Sequence, residues 1–214
     1  MIKKVLFLTL MIIGLFTGSA FAVDLTFDGY IADQANLLSP ESKENLNYTL
    51  HDLNKKTTAT IALVTVSTLK GEKIEKMASD IMGEYKIGDE KKDNGLVFLI
   101  SIGERQLQVI LGDGLVDSIE PKTLENIIDK NVLPYFEAGQ YENGVLRGTY
   151  LMADMVADID GKKVEHFGVV PDNIQIKKPF NKNWLWLLLI PLVAVIAVII
   201  VKVEDSRKNK EQNS

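Results

Sequence analysis

A run of 18 residues without a charge, Trp184 to Val201, limits the fold of this 214-residue chain more than any other feature. A helix needs roughly 20 apolar residues to cross the hydrocarbon layer of a bilayer. The run therefore predicts a transmembrane helix over 184–201, with a buried core helix as the alternative. Trp184 and Trp186 stand where an interfacial aromatic belt is expected, and Lys202 follows directly. Such a helix excludes a plain cytosolic enzyme.

The N-terminus has the composition of a secretory signal peptide. Lys3 and Lys4 precede an apolar stretch over 5–16, and Ala-Phe-Ala at 20–22 matches a cleavage site. We therefore expect residues 1–22 to be removed and the chain from Val23 onward to be exported. The transmembrane helix then stops the transfer. This places the domain on the periplasmic or extracellular side and leaves a cytoplasmic tail over 202–214.

The middle of the chain leaves room for one globular domain and a tether. Residues 23–160 contain 24 Asp and Glu against 13 Lys and Arg, whereas residues 161–183 are basic and contain two prolines. We interpret 23–160 as the domain and 161–183 as an extended linker, with a short edge strand over 164–170 as the alternative. The acidic domain repels phosphate backbones, which argues against nucleic acid as a partner and favours divalent cations or basic protein surfaces.

Hydrophobic periodicity predicts an α/β domain. Helices are expected at about 39–55, from 74 to a stop within 83–88, at about 121–132 and at 142–158. Strands are expected at 60–68, 95–102 and 106–111. Ser39 is the expected N-cap of the first helix, with Pro40 in its first turn. The order strand, helix, strand predicts a parallel pair, and the short turn that follows predicts an antiparallel hairpin, so the sheet is mixed.

Composition leaves oxygen ligands as the main source of chemistry. The chain has no cysteine, which excludes thiol nucleophiles and zinc–thiolate sites, and its two histidines disfavour a histidine metal site. No complete phosphate-loop or dinucleotide motif occurs, so no organic cofactor is expected. Acidic residues remain in loops at the ends of predicted elements, and the predicted cation ligands among them are Asp33, Asp93, Asp113 and Asp117. Calcium is the expected ion, and ordinary surface acids are the alternative.

A series of short motifs resembles the TPM domain family. In chain order they are Gly29–Asp33 with Asn36–Ser39, Gly88, Asp93–Val97, Arg105, Gly112–Leu115, Pro134–Phe136 and Gly139–Gly144. The resemblance extends from about Asp28 to Ala157. It implies a three-layer α/β/α sandwich with a small mixed sheet, to which this chain adds one C-terminal transmembrane helix.

The resemblance also implies three functions. The family includes thylakoid-lumen, photosystem II-associated and nematode receptor-accessory proteins, which favours an accessory or interaction module that helps to assemble, repair or regulate a membrane protein complex or acts on another envelope protein. Calcium binding by acidic loop residues implies a structural domain, and the acid phosphatase activity credited to a plant lumenal member implies a metal-dependent phosphatase. Asp33 and Asp93 match the acidic positions. However, Val116 stands where the family commonly has Glu, and Lys122 where an Asp often follows the proline.

Overall fold

The computed structural model describes residues 24–168. The predicted signal peptide, transmembrane helix and cytoplasmic tail, and most of the predicted linker, lie outside these residues. Between residues 24 and 168, no helix is both long and apolar enough to span a bilayer. The described chain falls into two compact units, residues 24–124 with 149–168, and residues 125–148.

Four strands and six helices make up the described chain. In order they are β1 (Ile31–Asp33), α1 (Pro40–Thr57), β2 (Thr60–Val66), α2 (Ile74–Glu84), β3 (Gly95–Ser101), β4 (Gln106–Leu111), α3 (Asp113–Val116), α4 (Pro121–Asn131), α5 (Leu133–Glu137) and α6 (Tyr141–Ile159). The predicted helices and strands of the domain are confirmed to within two residues at each end. The short elements β1, α3 and α5 were not predicted. The alternative edge strand does not form over 164–168.

The strands form one mixed sheet in the order β1-β2-β3-β4. β1 is parallel to β2 and β2 is parallel to β3, whereas β4 is antiparallel to β3. The predicted parallel pair and the predicted hairpin are therefore both confirmed. Because β1 joins the parallel set, the loop that follows Asp33 lies at the carboxyl edge of these strands, while the loop before Gly95 lies at the amino edge.

Alternating side chains of β2 and β3 pack against different helices. Ala62, Val64, Val97 and Leu99 belong to an apolar cluster with α2, to which the helix contributes Met77, Ala78 and Ile81. Ile61, Leu63 and Phe98 point the other way and are fully buried. Helix α1, which contacts β2, buries Leu46, Leu50 and Leu53 to 1% exposure or less. Each such side chain stabilises the fold by about 1.5–3 kcal/mol, so the sheet is a rigid base for the loops at its edges.

Candidate functional site

The carboxylate of Asp33 closes the loop that leads from β1 into α1. Its Oδ1 accepts from the Leu37 amide (2.9 Å) and the Thr65 hydroxyl (2.5 Å), and its Oδ2 accepts from the Leu38 amide at 3.1 Å. The Lys43 ammonium lies 3.0 Å from Oδ2, and the Asp33 side chain is only 1% exposed. Burial acts to raise the pKa of Asp33, but these four donors outweigh it and hold the pKa below its ordinary value. The carboxylate is thus already occupied by contacts that hold the loop.

Asp93 and Asp113 meet at the amino edge of the parallel strands. Asp93 has a left-handed backbone, with φ of 46°, and its Oδ2 accepts a hydrogen bond from the Asp113 amide at 3.1 Å. The carbonyl oxygen of Asp93 accepts from the Gly114 amide at 3.0 Å. Both aspartate side chains are exposed, as is that of Asp117, which follows the end of α3. Three of the four predicted ligands therefore belong to this edge of the sheet.

Glycines allow the loops at this edge to lie in direct backbone contact. A Cβ on Gly95 would stand 1.9 Å from the Ile87 carbonyl oxygen, and one on Gly114 would stand 1.8 Å from the Lys92 carbonyl oxygen. These distances are far below van der Waals contact, so no other residue fits without moving the neighbouring backbone. Packing therefore requires Gly95 in the family motif at 93–97 and Gly114 in the motif at 112–115.

Strand register separates Asp33 from Asp93. Asp33 pairs with Thr65, which in turn pairs with Ile100 on β3. Asp93 precedes Gly95, five residues of strand away from Ile100, which is about 16 Å at roughly 3.3 Å per residue. Calcium–oxygen distances are about 2.3–2.6 Å, so these two carboxylates do not share one cation.

No ready-made metal cluster occurs in the part of the chain that the structure describes. Across residues 24–168, no group of three or more His, Cys, Asp or Glu side chains is placed to hold a metal ion. Asp93 and Asp113 are joined by a hydrogen bond from the Asp113 backbone amide to the Asp93 carboxylate. Cation binding at Asp93, Asp113 and Asp117 remains a prediction, and the geometry separates it from Asp33.

Glu104 links the loops at the carboxyl edge and was not among the predicted site residues. Its carboxylate accepts hydrogen bonds from the hydroxyls of Ser101 and Thr68, the latter at 2.7 Å, and from the Leu69 amide at 3.1 Å. The Ser101 bond, followed by the Thr68 bond, lowers the pKa of Glu104. Like Asp33, this acid holds a loop in place.

A groove beside α1 was also missed by the sequence analysis. Its cavity measures about 560 Å³ and is lined by Asp28, Gly29, Tyr30, Pro40, Lys43, Glu44, Asn47, Tyr48 and His51. The Tyr30 hydroxyl lies 3.5 Å from His51 Nδ1, and partial burial raises the pKa of Tyr30. Tyr48 is 53% exposed at the rim. Pro40, Glu44, Tyr48 and His51 recur at helical spacing, which is the signal in the sequence that marks this face of α1.

Asn47 fixes the loop that forms the far wall of the groove. Its Oδ1 accepts from the Tyr30 amide at 2.9 Å, and its Nδ2 donates to the Asp28 carbonyl oxygen at 3.0 Å. Gly29 sits between them with φ of 64°, and a Cβ there would stand 2.4 Å from Asn47 Oδ1. The Gly-Tyr pair at 29–30 is thus needed to place the Tyr30 ring over the helix.

Residues 162–168 run along α1 toward the groove, and we call them the strap. The contacts are Lys56 Nζ to the Lys163 carbonyl (3.0 Å), the Glu165 amide to Asp52 Oδ2 (2.9 Å) and the Phe167 amide to Thr49 Oγ1 (3.4 Å). They occur about once per helical turn and progress toward the start of α1. At the end of the strap, the Phe167 ring packs on Tyr48 with centroids 5.3 Å apart.

Helix α6 holds the other side of the strap. The Tyr150 hydroxyl donates to the Phe167 carbonyl oxygen, and burial raises the pKa of Tyr150 to about 12. The His166 ring stacks on Tyr150 at 4.8 Å, and its Nε2 lies 3.0 Å from Asp154 Oδ1. The strap is therefore attached to two helices, and Tyr48 is shared between the strap and the groove.

Comparison with known proteins gives one family and a consistent fold. The sequence profile of the TPM domain matches residues 31–155. Among solved structures, the N-terminal domain of a protein from P. gingivalis is 25% identical, with a TM-score of 0.57 over 65% of this chain and 88% of that one. The BA42 protein from the psychrophilic bacterium Bizionia argentinensis is 16% identical, with a TM-score of 0.51 over 57% and 83%. No curated protein matches the chain.

Proposed function

Because the chain belongs to the TPM domain family, we propose that it is a membrane-anchored interaction module on the outer side of the membrane. In this role it helps to assemble, repair or regulate a membrane protein complex, or binds another envelope protein. The main support is the groove beside α1, which presents aromatic side chains on a fixed scaffold.

The rim of the groove has the chemistry of a protein-binding surface. Tyr48 and Phe167 are 53% and 43% exposed, yet their rings pack together. Aromatic residues are enriched at protein interfaces, where a few of them provide most of the binding energy. The contacts of Asn47 fix Tyr30 before any partner arrives, which reduces the entropy lost on binding.

The position of the linker also favours a partner in the same membrane. The strap ends at Gly168, which lies against the Asn45 side chain on α1. The remainder of the predicted linker, from residue 169, therefore continues from a point beside the groove. From residue 169 to the predicted helix at 184, a fully extended chain reaches at most about 50 Å. A membrane complex that projects from the bilayer lies within this reach.

The phosphatase alternative has weaker support in the geometry. A metal-assisted mechanism requires a cation that polarises the phosphoryl oxygen. The two acids that match the family, Asp33 and Asp93, lie at opposite edges of the sheet, and Asp33 is occupied by four donors. Calcium binding near Asp93 is compatible with an interaction module, so we treat it as a separate prediction.

Site-specific photo-cross-linking in the full-length chain tests the proposal. A photoreactive amino acid at Tyr48 should give a defined product in native membranes. The same group at Lys91, which is exposed and does not line the groove, should not. Tyr48→Ala should then weaken binding of the captured partner by about 2 kcal/mol, roughly 30-fold, whereas Lys91→Ala should leave binding unchanged. Equal capture from both positions, or no effect of Tyr48→Ala, would contradict the proposal.

A further inference from the structure

Strand β4 is an edge strand, the outermost strand on the side of the sheet away from β1. It is the last strand in the order β1-β2-β3-β4, and within residues 24–168 it pairs only with β3. Its six residues, Gln106–Leu111, contain no charge and no proline. Proteins commonly protect long edge strands with charges, prolines or bulges, because the unpaired backbone groups are a template for another strand. Strand β1, at the other edge, has only three residues.

The direction of the backbone groups of β4 follows from one hydrogen bond. The Gly112 amide donates to the Gly95 carbonyl oxygen at 2.8 Å, so this pair is of the hydrogen-bonded type. Such pairs alternate along an antiparallel ladder. The backbone amides and carbonyls of Gln106, Gln108 and Ile110 therefore form hydrogen bonds with β3. The amides and carbonyls of Leu107, Val109 and Leu111 point away from the sheet.

A side-chain contact supports this assignment. Gln108 Nε2 donates to the Val109 carbonyl oxygen at 3.1 Å. This oxygen takes a side-chain amide where a neighbouring strand would supply a backbone amide. Between residues 24 and 168, no backbone hydrogen bond outside the β3–β4 ladder involves Leu107, Val109 or Leu111.

We propose that a second copy of this chain pairs with this edge, β4 against β4 in antiparallel orientation, about a two-fold axis through Val109. This register places Val109 opposite Val109 and Leu107 opposite Leu111, so every outward-facing residue of one copy meets an outward-facing residue of the other. Each pair of facing residues, one from each copy, forms two backbone hydrogen bonds. A two-fold interface must be self-complementary in this way. Because β4 is uncharged, no like charges face each other, and two four-stranded sheets become one sheet of eight.

Cysteine cross-linking of the full-length chain in its membrane tests both the pairing and the register. The chain has no cysteine of its own, so each introduced thiol is unique. A short homobifunctional maleimide should convert most of the Val109→Cys variant to a covalent dimer. Leu107→Cys and Leu111→Cys should each stay monomeric, because the two copies of either residue lie about 13 Å apart. Lys91→Cys, in an exposed loop, measures cross-linking by random collision.

A mixture of two variants separates pairing from an effect of substitution at Val109. Differently tagged Leu107→Cys and Leu111→Cys chains should cross-link with each other when they are mixed, although neither does so alone. If neither Val109→Cys nor the mixture gives more covalent dimer than Lys91→Cys, the proposal is overturned. Cross-linking of Leu107→Cys alone at the level of Val109→Cys would overturn the register and with it the two-fold axis.

Discussion

Replacement of Asp33 by Asn tests whether this acid holds the fold or binds an ion. The change removes the negative charge and leaves one carbonyl oxygen, which can serve the Leu38 amide and the Lys43 ammonium at the Oδ2 position. The NH₂ group then stands at Oδ1, where it opposes the Leu37 amide. One buried backbone donor is left without an acceptor, and the contact with Lys43 loses its charge on one side.

The expected loss of stability follows from these contacts. An unsatisfied buried donor costs about 1–3 kcal/mol. The partly exposed ion pair with Lys43 adds less than about 1 kcal/mol. We therefore expect Asp33→Asn to lower the free energy of unfolding by about 2–4 kcal/mol, as measured by urea denaturation of residues 24–168. Lys43→Met, as the matched control, should cost about 1 kcal/mol or less, because it leaves the three other donors in place.

The effect should depend on pH in one direction. The pKa of Asp33 is lower in the folded protein than in the unfolded chain, so the folded state binds fewer protons. The contribution of Asp33 is then complete above the unfolded pKa of about 4 and is lost as the pH falls through the folded pKa. The difference between wild type and Asp33→Asn should be constant above about pH 5 and shrink toward pH 3.

Calcium separates the two roles of Asp33. If Asp33 only holds the loop, its replacement lowers the free energy of unfolding by the same amount with and without calcium. If Asp33 binds the ion, the replacement costs more when calcium is present. We expect no dependence on calcium. A difference below 1 kcal/mol at pH 7, a difference that grows toward pH 3, or a calcium-dependent loss would each refute the reasoning.

Three further predictions concern the strap and the amino edge of the parallel strands, where Gly95 and Asp93 lie. Gly95→Ala should destabilise the domain by more than about 2 kcal/mol in urea denaturation because its Cβ meets the Ile87 carbonyl oxygen. Gly83→Ala, where nothing lies within 4 Å in helix α2, should stabilise it by about 0.5–1 kcal/mol, and equal effects would contradict the packing argument. Tyr150→Phe should speed proteolysis within the strap because Phe167 loses its hydroxyl donor, and unchanged cleavage rates would show that this bond does not hold the strap. The predicted cation site is supported if calcium raises the unfolding temperature and Asp93→Asn abolishes the rise, and it is excluded if calcium, magnesium and manganese give no shift.

The longer elements of the fold were predictable because each has a local signal. The apolar spacing of α1 and its Ser39 N-cap lie within the helix itself, and the cap is present, with Ser39 Oγ accepting from the Ser42 amide at 3.2 Å. Strand β1 has no such signal. Its three residues are too few for an alternating pattern, and they become a strand only by pairing with Leu63–Thr65, about 30 positions away. Helix α3 also has no helical signal of its own, because Gly112 and Gly114 flank its first residue.

The candidate site was less predictable because it depends on strand order. The sequence places Asp33 before the first predicted helix and Asp93 before the second predicted strand, but only the register shows that these loops lie at opposite ends of the parallel strands. The groove depends on Tyr30 and Tyr48, which come from a loop and a helix. The Gly-Tyr pair at 29–30 belongs to a family motif, but its structural role follows only from the Asn47 contacts.

The strap has a mechanical consequence. Its contacts with α1 follow one another along the helix, so a force that pulls residue 168 away from α1 loads the Phe167 contact first and then those of Glu165 and Lys163. Sequential peeling of this kind proceeds at low load, unlike shear of all the contacts at once. Complete release frees seven residues, which extend to about 24 Å. In the proposed membrane-anchored protein, this release would lengthen the connection to the membrane, and a single-molecule pulling trace should show the extension before the domain unfolds.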